Sequence, residues 1–488
     1  MSLARKTFIA ASWNVGANAG ARLIGVIGTL VITRFLDPNV MAEVTAASIL
    51  IMSASLTTSF GLGKYYIVSP KSPEVAFHMT ALSLFFASIA FASVFLLAEF
   101  LSDLFRVPTM TQYVPGMLLV GVMKRIGALP EQVLVKDLRF RRVGVATALG
   151  EVSYVASSVA LAAHGFGGHA MVYGNILQAF VTALIVMTGV HWHEWMLPCR
   201  LRWQRISDMM RFGAPIGLAG TVAYASVTWD NLLFSRYFGS HEMGLYNLGY
   251  QLAAIPGKQI GEHAGVVILP SLAKIEAAQA RKQAVLRTIG LMGILVFPLA
   301  IGLAAVAESV VVVLLPETWQ GTAPLVTVLA AISVFQPISW TVQAFWTAQG
   351  RTRLLMIIQL AKIGLLAISI VATARFGPLW VCMAVGLTFA VNAAASMAIC
   401  AIMDGISPKA LVHNFFRPLA ACGPMVLAVL GCRHGLRAIG IDIPILSLCL
   451  EIAAGALVYL PAAFAFAPAI ARDFVELLRK AFSRTLSQ

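Results

Sequence analysis

Arg22 lies about 22 Å along an apolar run that opens near residue 8, at the usual rise of an α-helix. That is past the midplane of a hydrocarbon layer about 30 Å thick. A guanidinium facing lipid there costs from about 3 to over 10 kcal/mol, so it requires a watery cavity or a partner. Asn14, Asn18, Gly25, Thr29 and Thr33 recur at steps of three or four and share its helical stripe. A second run, 242–270, carries Asn247, Gln251, Lys258 and Glu262, the last two spaced to pair with each other. Gln336, Ser339, Gln343 and Thr347 lie with Trp340 and Trp346 in a third run, and Gln359 and Lys362 in a fourth. Lys362 is about 13 Å from the end of its run, within reach of snorkelling to the surface. Asp230 precedes Arg236 by a turn and a half, and an ion pair with Arg236 or Arg34 suits it. Asn and Gln also join helices, and Trp also packs or anchors at an interface. Taken together, the cations in apolar runs describe a polar, cationic interior for an anionic or hydrogen-bonding solute.

No enzyme constellation competes with that reading. There is no phosphate-binding Gly-rich loop, so ATP hydrolysis by this chain is excluded. His164 and His169 flank GFGG, and His191 and His193 bracket a tryptophan, with no acidic or cysteine partner at metal spacing. The six cysteines stand singly. No metal and no cofactor is expected.

These residues must be positioned by helices in lipid. Of the 488 residues, 59% are hydrophobic and 11% charged, against about a quarter charged in soluble domains. The apolar runs are continuous rather than alternating, which leaves helices and excludes a barrel. The expected fold is an all-α integral membrane protein of about fourteen transmembrane helices. The runs are 8–33, 40–60, 75–98, 110–129, 143–163, 169–190, 212–236, 242–270, 284–307, 322–348, 353–375, 378–402, 411–431 and 443–467. The first is read as a retained helix rather than a cleaved signal. With the N-terminus cytoplasmic, inner segments hold 26 Lys and Arg and outer segments 6, which puts both termini in the cytoplasm. The net charge of +14 is therefore an orientation signal, and with no contiguous basic domain a nucleic-acid partner is excluded.

Thr33–Met41, TRFLDPNVM, and Ser235–Met243, SRYFGSHEM, occupy the same place 202 residues apart. Six runs separate them, so the expected organisation is two parallel-related six-helix lobes plus two C-terminal helices. The N-lobe is 1–190, a cytoplasmic linker 191–211, the C-lobe 212–402, the two further spans 403–471, and a basic cytoplasmic tail 472–488.

DNLLFSRYFGSHEMGLY, from Asp230 to Tyr246, is followed by Pro256 and by VILPSLAKI at Val267–Ile275. This resembles the start of the second lobe in the polysaccharide transporter (oligosaccharide flippase) family of the multidrug/oligosaccharidyl-lipid/polysaccharide exporter superfamily. PEQVLVKDLRFRRV, Pro130–Val143, is similar to that family's basic loop, and GFGGHAMVYGNILQ, Gly165–Gln178, to its Gly-rich entry to span six. The turn after the first span lacks the Gly-Leu-Tyr kept at Gly244, Leu245 and Tyr246, and Met171 stands near the place of a frequent Trp.

The resemblance implies a flippase carrying a polyprenyl-diphosphate-linked oligosaccharide across the bacterial inner membrane by alternating access, for surface or exopolysaccharide biosynthesis. Its partners would be the lipid-linked oligosaccharide, membrane lipid, and polysaccharide polymerase and chain-length proteins. On that footing Arg22, Lys258 and Lys362 would meet the anionic headgroup, with Asn18, Gln251, Gln343 and Trp340 lining the cavity. Arg34 and Arg236 would gate it, held by Asp230, and Glu151 and Glu262 are the carboxylates nominated for ion coupling beside Asp230. A peptidoglycan-precursor flippase shares the architecture. A cation-coupled multidrug exporter would favour an acidic cavity and twelve spans. A membrane-embedded glycosyltransferase or polymerase would need a soluble loop or clustered carboxylates that this chain lacks.

Overall fold

A computed structural model describes residues 3–195, 197–273, 275, 277–440 and 443–486, with some side chains inside helices, among them those of 3–15, 17–18, 258–260, 262–267 and 480–486, outside the description. The chain forms two compact units, Met1–Gly244 and Leu245–Gln488. Helices α1 (Leu3–Ile32), α2 (Pro38–Thr57), α3 (Leu62–Val68), α4 (Pro73–Leu96), α5 (Ala98–Phe105), α6 (Val114–Lys136), α7 (Phe140–Ala163) and α8 (Gly168–Met187) belong to the first unit. Helix α9 (Trp203–Ala273) begins in the first unit and ends in the second. The second unit continues with α10 (Ala278–Leu314), α11 (Thr322–Ile332), α12 (Gln336–Ala348), α13 (Thr352–Thr373), α14 (Pro378–Asp404), α15 (Pro408–Ala420), α16 (Cys422–Ile439), α17 (Pro444–Phe466) and α18 (Pro468–Leu486).

The protein is an all-α integral membrane protein, with no strand among the described residues. Each apolar run of the sequence falls on helix. Ten described helical stretches, α11 with α12 and α15 with α16 each counted as one, are long and apolar enough to cross a bilayer. Helix α1 and the two parts of α9 have side chains only partly described, and α6 carries more charge. Proline opens α2, α4, α14, α15, α17 and α18, where the missing N–H leaves no bond unmade. Helix α9 is interrupted at Gly239, whose φ of 82° and ψ of −178° suit glycine alone. It starts at Trp203, inside the charged stretch 191–211. The basic C-terminal stretch is also helical, as α18, because Ile470, Ala471 and Phe474 bury an apolar stripe against the second unit's core.

In the first unit Leu62, Tyr66, Met79, Val133, Leu134 and Trp195 share a buried cluster. The basic loop after α6 ends other helices. Lys136 donates to the carbonyls of Tyr66 and Ser69 at 2.8 and 2.6 Å, Arg139 to Gly189 at 2.6 Å, and Arg142 to Ile185 at 2.9 Å. These carbonyls lie near the C-terminal ends of α3 and α8, where cations are favourable. Lys71 pairs with both Asp137 and Glu194 at 3.0 Å, and the backbone N–H of Arg202 donates to buried His78 Nε2 at 2.9 Å. The stretch 188–202 is thereby fastened to the first unit. In the second unit α10 is the hub, and Phe297, Phe345, Trp346, Phe415 and Met425 fill the core beside it.

The Lys71 ammonium holds the Glu194 carboxyl below its usual value, and Asp137 and Glu194 hold Lys71 above its own. The pairing therefore contributes fully at intermediate pH. It is lost on acidification through the lowered Glu194 value and on alkalinisation through the raised Lys71 value. Thermal unfolding of detergent-purified protein should show both limbs, and Lys71→Met should flatten them. An acid limb identical in the variant would remove this cluster as its cause.

Candidate polar site within the membrane helices

Three helices of the first unit, α6, α7 and α8, converge on a cavity of about 300 Å³ lined by Lys124, Glu131, Thr147, Gln178 and Thr182. Lys124 and Arg125 stand near the end of the run 110–129 and are among the 26 Lys and Arg counted to inner segments. They lie instead ten and eleven residues past the start of α6, about 15 Å along it. Arg125 is held in place, donating to Ser83 Oγ at 3.3 Å on α4 and Thr58 Oγ1 at 3.2 Å beyond α2. Lys124 interacts electrostatically with Glu151 of α7, whose Oε2 accepts from Gln178 Nε2 of α8 at 2.7 Å. The other Glu151 oxygen lies against α1, where a Cβ at Gly25 would come within 2.4 Å of it. Gly25 is thus the opening through which the carboxylate reaches α1. Arg22 is one turn earlier on the same helix, its side chain exposed. Arg22 and Glu151 consequently belong to facing helices, joined at the polar stripe.

Asp230 is buried, and its Oδ1 accepts from the backbone and side-chain N–H groups of Asn231 at 3.0 and 3.1 Å. Arg34 and Arg236 are exposed. The repeated stretches themselves touch: Ser240 Oγ donates to Asn39 Oδ1 at 2.8 Å, and Gly244 lies against the Pro38 backbone.

In the second unit, the side chains of Lys258 and Glu262 lie outside the described residues, as does that of Asn18 in the first. The backbone around Lys258 is informative. Gly257 lies against the Gln336 amide, and Gly261 carries the ring of Trp340, which a Cβ would meet at 2.6 Å. Gln251 Nε2 donates to Asn247 Oδ1 at 2.6 Å, and Gln343 is half-buried on α12. Lys362 does not snorkel: it is 9% exposed, with its ammonium 4.1 Å from the Phe389 ring centroid.

Sequence reasoning missed a stronger charge cluster. Glu451 of α17 is fully buried and receives Arg433 Nε and Nη2, each at 2.9 Å, and Ser309 Oγ at 2.8 Å. Arg433 also donates to the Ala305 carbonyl at 2.7 Å and pairs with Glu308 at 3.3 Å. The fork joins α10, α16 and α17. The signal was a lone glutamate in the apolar run 443–467, where only a fixed cation makes it tolerable. Glu43, buried in α2 and hydrogen-bonded to Thr109, was also passed over.

Two variants separate structure from chemistry. Arg433→Met leaves Glu451 buried without its cation and should cost about 3–5 kcal/mol, read as loss of folded protein in detergent. Gly25→Val should displace Glu151 and abolish transport while the protein still inserts. Wild-type transport by Gly25→Val would show that this contact is dispensable.

Comparison with solved structures shows the same fold in the lipid II flippase MurJ in its inward closed conformation. The TM-score is 0.72, with 12% identity over 94% of this chain and 98% of that one. An inward-facing multidrug resistance MATE family transporter of the MOP superfamily follows at 0.62, with 14% identity, 78% of this chain and 94% of that one. In sequence the chain is 22% identical over 367 residues to the lipopolysaccharide biosynthesis protein WzxC of Escherichia coli K12, covering 72% of each. It is 24% identical over 327 residues to the succinoglycan biosynthesis transport protein ExoT of Rhizobium meliloti, covering 65% of this chain and 64% of that one. The family described as polysaccharide biosynthesis protein matches residues 31–324, more than half the chain, and the protein belongs to that family.

Proposed function

We propose that the protein is a flippase, a transporter rather than an enzyme, moving a polyprenyl-diphosphate-linked oligosaccharide repeat unit from the inner to the outer leaflet of a bacterial inner membrane for surface polysaccharide synthesis. The observation that carries this reading is a chain of charges on packed helices: α1, which bears Arg22, packs on α7, whose Glu151 interacts with Lys124 of α6. Two phosphates and a sugar headgroup cannot cross hydrocarbon unaided, and fixed cations offset their desolvation. Trp340 and the Asn and Gln side chains of the spans suit sugar faces and hydroxyls.

In this reading residues 1–190 and 212–402 are two six-span lobes joined by 191–211, with spans thirteen and fourteen in 403–471. Both termini are cytoplasmic by the Lys and Arg distribution. Arg22, Lys258 and Lys362 bind the headgroup, with Lys124 joining them, and Asn18, Gln251 and Gln343 line its path. Arg34, Asp230 and Arg236 form the outer gate. Glu151 and Glu262 couple transport to an ion gradient. Polymerase and chain-length proteins would receive the product.

The leaflet distribution of the lipid-linked oligosaccharide in a deletion strain tests the reading. Inner-leaflet accumulation is expected, relieved by wild-type protein and not by Arg22→Ala at equal membrane abundance. Equal outward exposure with and without the protein, in a strain lacking other flippases, would end it.

A further inference from the structure

A cavity in the second unit is chemically unlike the polar site. It is a groove of about 720 Å³ whose walls include Ile332, Phe335, Trp380, Met383 and Leu387. Its two hydroxyls are turned inward, Thr327 donating to the Ala323 carbonyl at 3.0 Å and Thr373 to Ser369 at 2.7 Å, so both present methyl groups. The floor is set where α11 and α14 approach closely: a Cβ at Gly386 would lie 2.1 Å from Ile332 Cδ1. The α14 face beside it is apolar and exposed, Met383 at 48% and Leu387 at 65%, as expected of a surface against lipid.

Depth and charge identify an occupant. The groove follows α14 from Trp380 to Ala390, ten residues or about 15 Å. That is half of a hydrocarbon core of about 30 Å, the depth of one leaflet. At its shallow end stands an exposed cation: the Arg375 guanidinium lies 4.7 Å over Phe376, whose ring is 6.1 Å from that of Trp380. Aromatic rings and an arginine at this level mark the headgroup layer. We propose that the groove seats one anionic phospholipid of the surrounding leaflet, its phosphate on Arg375 and one acyl chain along α14. A chain one leaflet long fills the groove from Arg375 to its end, whereas a polyprenyl chain outruns it. The proposal needs only the membrane location and not the transport reading.

The test is native mass spectrometry of the full chain, delipidated in detergent and offered phosphatidylglycerol and phosphatidylcholine in equal amounts. One phosphatidylglycerol per chain should be retained with about fivefold preference, the effect of one arginine near a lipid surface. Arg375→Gln should bring that preference near parity. Ala390→Phe, which fills the groove, and Leu387→Gln, a surface change on its wall, should lower retention of both lipids. Equal retention of the two lipids by wild type, retention unchanged in both groove variants, or displacement by an equal amount of undecaprenyl phosphate would each overturn the assignment.

Discussion

Hydrocarbon offers no hydrogen bonds, and that single deficiency governs the backbone and most polar side chains of the spanning helices. The backbone meets it by helix formation throughout. The side chains meet it one at a time. Serines and threonines return their hydroxyls to carbonyls three or four residues back, as Ser53 does to Ile49 at 2.7 Å. Arg433 meets it with two carboxylates and a carbonyl, and Arg125 with two hydroxyls. Lys362 meets part of it with the face of an aromatic ring.

Against that background the first unit's cavity is distinct. Arg433 and Glu451 are locked in a bidentate fork and leave little for a ligand. Lys124 and Glu131 line open space instead, and Glu151 is held from one side by Gln178. Charges of similar kind therefore differ in setting: the closed fork joins α16 and α17 to α10, while Lys124 and Glu131 face the cavity among α6, α7 and α8.

The helices were legible because each is a continuous apolar run, and lipid leaves such a run no other fold. Arg22, Glu151 and Trp340 were legible as exceptions within those runs, and the structure sets Glu151 against the helix that bears Arg22. Lys124 and Arg125 were misplaced for a physical reason. Two adjacent cations near the end of an apolar stretch resemble a loop, and only the continuation of α6 through Pro130 to Lys136 puts them inside. Arg433 and Glu451 were missed because their pairing joins two different helices, α16 and α17, and no spacing along one helix announces it. Gly25 stood in the polar stripe as one more small residue, and its purpose appears only with a carboxylate opposite.

The cations after α6 carry a consequence for how the protein is made. Lys136, Arg139 and Arg142 are among the basic residues from whose distribution the sequence-based orientation is read, and such residues act while a chain is being inserted. The same three side chains close the ends of α3 and α8 once folding is complete. Biogenesis and final architecture thus read one set of charges at different times. Neutralising them would remove that charge bias and the caps on α3 and α8 together.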